Sequence, residues 1–251
     1  MSGDGWVYLS DVRIVEERIP AERPFPFSLP FVEGLALRFS TPVTFFVGEN
    51  GAGKSTLLEA LAVSCRFPVS GGGRNELGGA HGPEEDSALS RALRLSMRRH
   101  PRDGYFFRAE FEAHFASLLD ARAKDPWFIG DPYARYGGGS LHARSHGEAF
   151  LDIIGNRVGE GLYFLDEPES ALSPQRQLGL LAIMSDLVGA GASQFVIATH
   201  SPILLTFPGA TIVSFDDARL PQVELRETSH YQITRRMLEA PERYWGYLRG
   251  E

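Results

Sequence analysis

One cysteine, Cys65, is all that 251 residues contain, so no internal disulfide can form. A packed core must hold the fold, and a reducing compartment, the cytoplasm, is the expected setting. No apolar run reaches the length that spans a membrane. The start, MSGDGWVYL, lacks the basic stretch and apolar core of a secretion signal. Any membrane-spanning part is expected on another chain. Positive charge is not in excess either. The 25 Lys and Arg against 32 Asp and Glu give a formal charge of -7. That excludes a generally basic nucleic-acid surface and leaves room only for a local patch. No segment repeats and no long heptad region occurs, which excludes solenoids and coiled-coil arms. What is present is a 43% hydrophobic chain, enough for the core of an α/β protein.

Strand-like and helix-like stretches alternate. The run WVYLSDVRIV, residues 6–15, predicts a strand, and two more are expected at 35–39 and 43–47. The second of these, VTFFV, is apolar at every position but one, as in a strand covered on both faces. A helix is expected from Lys54 to Ser64. Residues 68–87 and 130–147 are glycine-rich connections. Between them the spacing predicts a helix around ALSRALRLSM, a strand at YFFRAEF and a helix from about Glu112. Helix resumes around 148–158. GLYFLDEPE, SQFVIATHSP and TIVSFDD read as further strands, with an amphipathic helix at PQRQLGLLAIMSDLVGAG. The tail, SHYQITRRMLEAPERYWGYLRG, predicts two short helices separated by proline.

Directly after VTFFV comes Gly48-Glu49-Asn50-Gly51-Ala52-Gly53-Lys54-Ser55-Thr56. It satisfies G-x-x-x-x-G-K-[ST] in full, between a buried strand and a helix former. Glycines let successive backbone N–H groups turn inward around phosphate oxygens. The helix that follows adds its free N–H groups and positive end. Lys54 is then placed for the β- and γ-phosphates and the Ser55 hydroxyl for Mg²⁺, with Thr56 near the α-phosphate. The stretch is a triphosphate cradle.

A second apolar strand, Leu162-Tyr163-Phe164-Leu165, delivers Asp166 and Glu167 at its end. Asp166 suits the shell of a phosphate-bound Mg²⁺. The adjacent Glu167 suits a base that orients and deprotonates the attacking water. A third strand, Phe195-Val196-Ile197-Ala198-Thr199, ends in His200. Ligands of an open α/β sheet lie beyond the carboxyl ends of its strands. His200 is therefore expected on the same edge as Gly53, Asp166 and Glu167, where it could donate to the γ-phosphate or position the water.

Together these residues resemble the ATP-binding cassette (ABC) ATPase superfamily, and within it the soluble heads of RecF, SMC and Rad50 and the ATPase part of OLD proteins. The resemblance implies an α/β P-loop NTPase with a mostly parallel central sheet, N-terminal β elements and a small helical insertion. It also implies a single ATPase domain over 1–251. Within it, 66–150 is expected as a glycine-rich loop and helical, signature-bearing subdomain, and 220–251 as a helical cap. Walker A corresponds to Gly48–Thr56 and Walker B to Leu162–Asp166. Glu167 matches the catalytic glutamate, His200 the switch histidine and Glu169–Ser173 the D-loop. Arg144-Ser145-His146-Gly147-Glu148 resembles the LSGGQ signature, with Ser145 and Gly147 at its serine and second glycine. The family usually carries a glutamine after the strand that follows Walker A, yet no Gln precedes Asp166. Arg108 or Glu110, at YFFRAEF, stands nearest that role, and Phe25 or Phe27 could stack on adenine or pack in the core.

The resemblance implies Mg²⁺-dependent hydrolysis of ATP, with ATP held between two protomers. Ser145 of one would meet the γ-phosphate held by the other, so an ATP-dependent homodimer is expected. The output could be DNA maintenance, defence or control of a protein effector. The other readings are the ATPase subunit of a membrane transporter, from which the missing glutamine and altered signature depart, or a slow-turnover ATP-gated interaction module. Nucleic-acid contact rests on Arg91, Arg94, Arg98, Arg99 and Arg102. Their spacing puts several on one face of a helix, which equally suits a solvated face.

Overall fold

The computed structural model describes residues 6–69, 71–73, 87–108, 119–127, 130–134, 138, 151, 154, 161–191 and 193–250. Two sheets organise them. A small antiparallel sheet has the order β2-β1-β5, from β1 (Leu9–Ile14), β2 (Ala36–Arg38) and β5 (Leu93–Met97). The central sheet has the order β4-β6-β7-β8-β3-β9. Its strands are β3 (Val43–Val47), β4 (Gly72–Gly73), β6 (Asp103–Arg108), β7 (Gly161–Asp166), β8 (Ser193–Ala198) and β9 (Thr211–Ser214). All its neighbours run parallel except the β4–β6 pair at one edge. It is a mixed, mostly parallel α/β sheet.

Both faces of this sheet are covered, and successive residues alternate between them as the pleat requires. Phe46, Phe106, Phe164 and Val196 face one core with Leu57, Leu58 and Leu61 of helix α1 (Lys54–Ser64). Phe45, Tyr163, Phe195 and Ile197 face the other, with Leu180, Met184 and Leu187 of helix α3 (Pro174–Gly189). Tyr163 and Phe195 stack across β7 and β8 with ring centroids 4.8 Å apart. This is why these strands read as continuous apolar runs.

Gln194 fastens the small sheet to the large one. Its Oε1 accepts from the N–H groups of Tyr8 and Leu9, both at 2.8 Å, and its Nε2 donates to the Leu9 carbonyl at 2.9 Å. The residue is fully buried, so these bonds satisfy an amide that would otherwise be costly to enclose.

The helix expected around ALSRALRLSM is corrected. Helix α2 (Ala88–Ala92) stops after five residues, and Leu93–Met97 is β5. Leu93, Leu95 and Met97 turn toward the body while Arg94 and Ser96 are exposed. That is a period of two, fixed by pairing of β5 with β1 from Ile14↔Leu93 to Leu9↔Met97. The expected arginine stripe on one helix face is corrected with it. Arg91 ends α2, Arg94 lies on β5, and Arg98, Arg99 and Arg102 follow it, all exposed. The tail forms α4 (Ser229–Glu239) and α5 (Pro241–Arg249). Thr228 caps α4 by accepting from the Tyr231 N–H at 3.3 Å. Much of 66–150, and most of 148–158, lies outside the described residues. Among the described residues no helix is long and apolar enough to cross a membrane.

Candidate functional site

Parallel pairing decides which residues meet. Phe46 and Asp166 both register with Ala198, and Val47 registers with Ser214. The carboxyl ends of β3, β7, β8 and β9 therefore lie side by side. The segments leaving them carry Gly48, Glu167, His200 and Asp216.

Gly48 leaves β3 with φ +141°. A Cβ there would come within 3.0 Å of Asp216 Oδ1, and that same oxygen accepts the Glu49 N–H at 2.9 Å. Gly53 has φ +93° and caps α1, where a Cβ would come to 2.6 Å from a Phe31 ring carbon. Both positions thus need glycine for conformation and for space. Glu49, Asn50 and Gly51 are exposed and Ala52 half-buried, leaving the loop open outward in front of the α1 N-terminus. The first N–H groups of that helix have no intrahelical acceptor. An anion is their natural partner.

Lys54 is the first residue of α1 and is only 4% exposed. Its ammonium donates to the carbonyls of Gly48 at 2.7 Å and Glu49 at 2.9 Å, arching back over the loop. Burial lowers its pKa from the ordinary lysine value, and the carboxylates of Glu167, Asp216, Asp166 and Glu49 oppose that. One buried cation ringed by acids and loop carbonyls marks where phosphate charge would be balanced.

Ser55 donates its hydroxyl to Asp166 Oδ1 at 2.8 Å, joining the loop to the end of β7 across 111 residues of sequence. Thr56, half-buried, follows in the same turn. A hydroxyl beside a buried carboxylate suits Mg²⁺, which takes one or two protein oxygens plus phosphate oxygens and water rather than a protein cage. On the other side of Asp166, Arg108 Nε lies 4.0 Å from Oδ2 while Nη1 donates to Glu59 at 2.7 Å. Arg108 thus reaches the acid from the strand where a glutamine was missing. Glu110, its companion in that expectation, lies outside the described residues.

Glu167 has φ +47°, ψ +53°, a left-handed conformation unusual for glutamate. Its N–H donates to Ala198 O at 2.9 Å and its carbonyl accepts the Ser170 hydroxyl at 2.7 Å. This bend turns the carboxylate off the strand, and Oε1 lies 3.5 Å from His200 Nε2. His200 is held from behind. Its N–H donates to Glu169 Oε1 at 2.5 Å, and its Nδ1 lies 2.8 Å from His230 Nε2. Burial raises the Glu169 pKa, against the stabilising bond from the His200 N–H. Burial lowers the His200 pKa, helped by the charge of Lys54. Behind them, the Ser201 hydroxyl meets Gln177 Oε1 at 2.5 Å, and Gln177 Nε2 donates to Leu172 O at 3.2 Å. The segment 169–173 is thereby tied to the histidine turn.

The structure brings Gly48–Thr56, Asp166, Glu167 and His200 to one edge. Ser145 and Gly147, with Arg144, His146 and Glu148, lie outside the described residues. Phe27 is buried in the core and Phe25 is 71% exposed, so Phe27 is a packing residue. Asp216 and His230 were missed. Asp216 stands in the polar end of TIVSFDD, a signal of the same kind as the end of β7. His230 sits in a polar tail helix, and nothing in its neighbourhood marks it.

Comparison with known proteins agrees with this architecture. An AAA domain family model matches residues 26–111. A second, described as "AAA domain, putative AbiEii toxin, Type IV TA system", matches residues 91–206. No curated protein matches the sequence. Among solved structures, the ADP conformation of MJ1267, an ATP-binding cassette of an ABC transporter, superposes with TM-score 0.50 at 13% identity, covering 96% of this chain and 98% of that one. The SMC head domain from Thermotoga maritima gives TM-score 0.43 at 13% identity, covering 87% and 99%. With the complete phosphate loop and the parallel sheet that presents it, the chain has the α/β fold of an ATP-binding cassette and matches AAA-domain models over residues 26–111 and 91–206.

Proposed function

We propose that the chain hydrolyses ATP to ADP and phosphate. The observation that carries this is the pair at the end of β7. Asp166 meets Ser55 of the phosphate loop at 2.8 Å while its neighbour Glu167 turns away to face His200 at 3.5 Å. A nucleotide-binding site alone needs the first contact. The second gives it a base and an orienting ring beside the place where a γ-phosphate would lie.

In this reading the loop N–H groups and the α1 N-terminus bind the phosphates. Lys54 exchanges the Gly48 and Glu49 carbonyls for β- and γ-phosphate oxygens. Ser55 and Asp166 would hold Mg²⁺, which would neutralise developing charge on the phosphates. Glu167 orients the water and takes its proton as the water oxygen attacks the γ-phosphorus in line and the bond from that phosphorus to the ADP oxygen breaks, releasing ADP. His200 Nε2 faces that carboxylate and, with ATP bound, would donate its one hydrogen to the γ-phosphate. ATP would be completed between two copies of the chain, with Ser145 and Gly147 of each meeting the nucleotide held by the other. A head-to-tail homodimer, closed by ATP and relaxed by hydrolysis, follows as the working cycle.

The test is Mg²⁺-dependent phosphate release from ATP by wild type and Glu167→Gln. The variant keeps the shape and loses the base, so turnover should fall about 100-fold or more while ATP binding persists. Equal rates for the two proteins would remove Glu167 from the mechanism.

A further inference from the structure

We infer that His230, on the tail helix α4, is a positioning residue that fixes the tautomer of His200. The inference rests on the ATPase reading for its consequence, though the contact itself does not. The rings approach edge to face, with centroids 4.9 Å apart and an interplanar angle of 62°. His200 Nδ1 and His230 Nε2 are 2.8 Å apart, so one carries the hydrogen and the other the lone pair.

Two features of the surroundings choose between the assignments. First, His200 Nε2 faces Glu167 Oε1 at 3.5 Å. A carboxylate offers only lone pairs, so Nε2 should bear a hydrogen. In neutral His200, Nδ1 is then the acceptor and His230 Nε2–H the donor. Second, His230 Nδ1 is buried with no hydrogen-bond partner among the described residues. Were His200 Nδ1–H the donor, neutral His230 would place its own hydrogen on that enclosed nitrogen. A buried N–H without an acceptor is costlier than an idle lone pair. The reverse assignment also sets a His200 lone pair against the carboxylate. His200 Nε2, like His230 Nδ1, is buried without a hydrogen bond among the described residues, but it alone faces a carboxylate. The first arrangement therefore sets an N–H toward that charge, and the reverse sets a lone pair toward it and encloses an N–H.

Both rings are also held neutral, which the choice requires. Burial lowers each pKa, Lys54 opposes charge on both, and His200 opposes charge on His230. The acids Glu167 and Glu49 near His200, and Asp216 and Glu49 near His230, pull the other way without prevailing. His230 thus leaves His200 with an Nε2–H aimed at the reaction edge. Without it, the imidazole could place its hydrogen on Nδ1 and present a lone pair to Glu167 and to phosphate oxygens.

The test is ¹⁵N-histidine NMR of the full chain near pH 7.5, with His200 assigned by its absence in His200→Asn. Turnover is measured on the same proteins. Wild type should show a protonated Nε2 and a bare Nδ1 on His200. His230→Gln keeps an N–H donor near the same place and should preserve that tautomer. His230→Ala should give a tautomer mixture, and His230→Glu, which offers only acceptors, should move the hydrogen to Nδ1. In parallel kcat should fall about 10-fold in His230→Ala and be largely restored in His230→Gln, with the KM for ATP little changed. An Nδ1–H tautomer in wild type, or a tautomer and kcat unmoved by His230→Ala and His230→Glu, overturns the inference. The expected tautomers with no ATP turnover in wild type would uphold the pairing and overturn the ATPase reading instead.

Discussion

His200 and His230 also mark the protein's response to acid. Each has a pKa below the ordinary histidine value of 6.5, chiefly because burial disfavours the cation. The unfolded chain therefore binds more protons than the folded one as pH falls through 6.5. The stabilisation is full above that pH and is lost progressively toward the folded-state pKa values. Glu169 works in the opposite sense. Its raised pKa gives stabilisation that is present below the usual carboxylate range and lost as pH rises through it. Comparing wild type with His230→Gln cancels the Glu169 contribution. The Tm of wild type should drop more than that of His230→Gln between pH 7.5 and 5.5, as followed by tryptophan fluorescence. Parallel curves would mean that His230 is not held neutral by the fold.

Elements were legible where local chemistry dictates the residues. The phosphate loop could be read because its glycines, lysine and hydroxyl must be contiguous in sequence to surround one phosphate chain. Strands β3, β7 and β8 could be read because burial on both faces demands near-continuous apolar runs. Strand β5 could not. Leu89 and Leu93 are four apart and Arg91, Arg94 and Arg98 are three and four apart, so the local pattern fits a helix. Pairing with β1 decides otherwise, and that is information from 80 residues away, as in Ile14↔Leu93 and Arg13↔Arg94. Gln194 is the stronger case. At the start of SQFVIA it reads as a polar strand end, yet its partner Leu9 is 185 residues distant. Gln194→Leu would keep much of the volume and remove three bonds, including the acceptor for the buried Tyr8 and Leu9 N–H groups. A loss of about 2–4 kcal/mol follows from the usual cost of such deletions, readable as a lower urea midpoint. The phosphate loop lies beyond the opposite end of β8, so ATP affinity of the folded variant should change little. An unchanged midpoint would show that the two sheets are held by their apolar contacts alone.

For the whole molecule the central issue is whether two copies close on ATP. The net charge of -7 works against self-association at low salt. Any pairing that salt alone promotes could therefore be mistaken for a nucleotide effect, and the control must hold ionic strength fixed. In the proposed cycle, ATP closes the pair because its γ-phosphate is the contact shared with the opposite protomer, and hydrolysis removes that contact. Glu167→Gln should then trap the closed state, since it retains Ser55, Asp166 and the loop but lacks the base. Sedimentation of this variant should give monomer without nucleotide, monomer with Mg²⁺-ADP, and twice the monomer mass with Mg²⁺-ATP at the same salt. In that cycle a second substitution, Ser145→Arg, would put a bulky cation against the nucleotide held by the opposite protomer. It should restore the monomer in Mg²⁺-ATP while ATP still binds. Dimer formation that ignores nucleotide, or that survives Ser145→Arg, would place the contact surface elsewhere and separate ATP binding from closure.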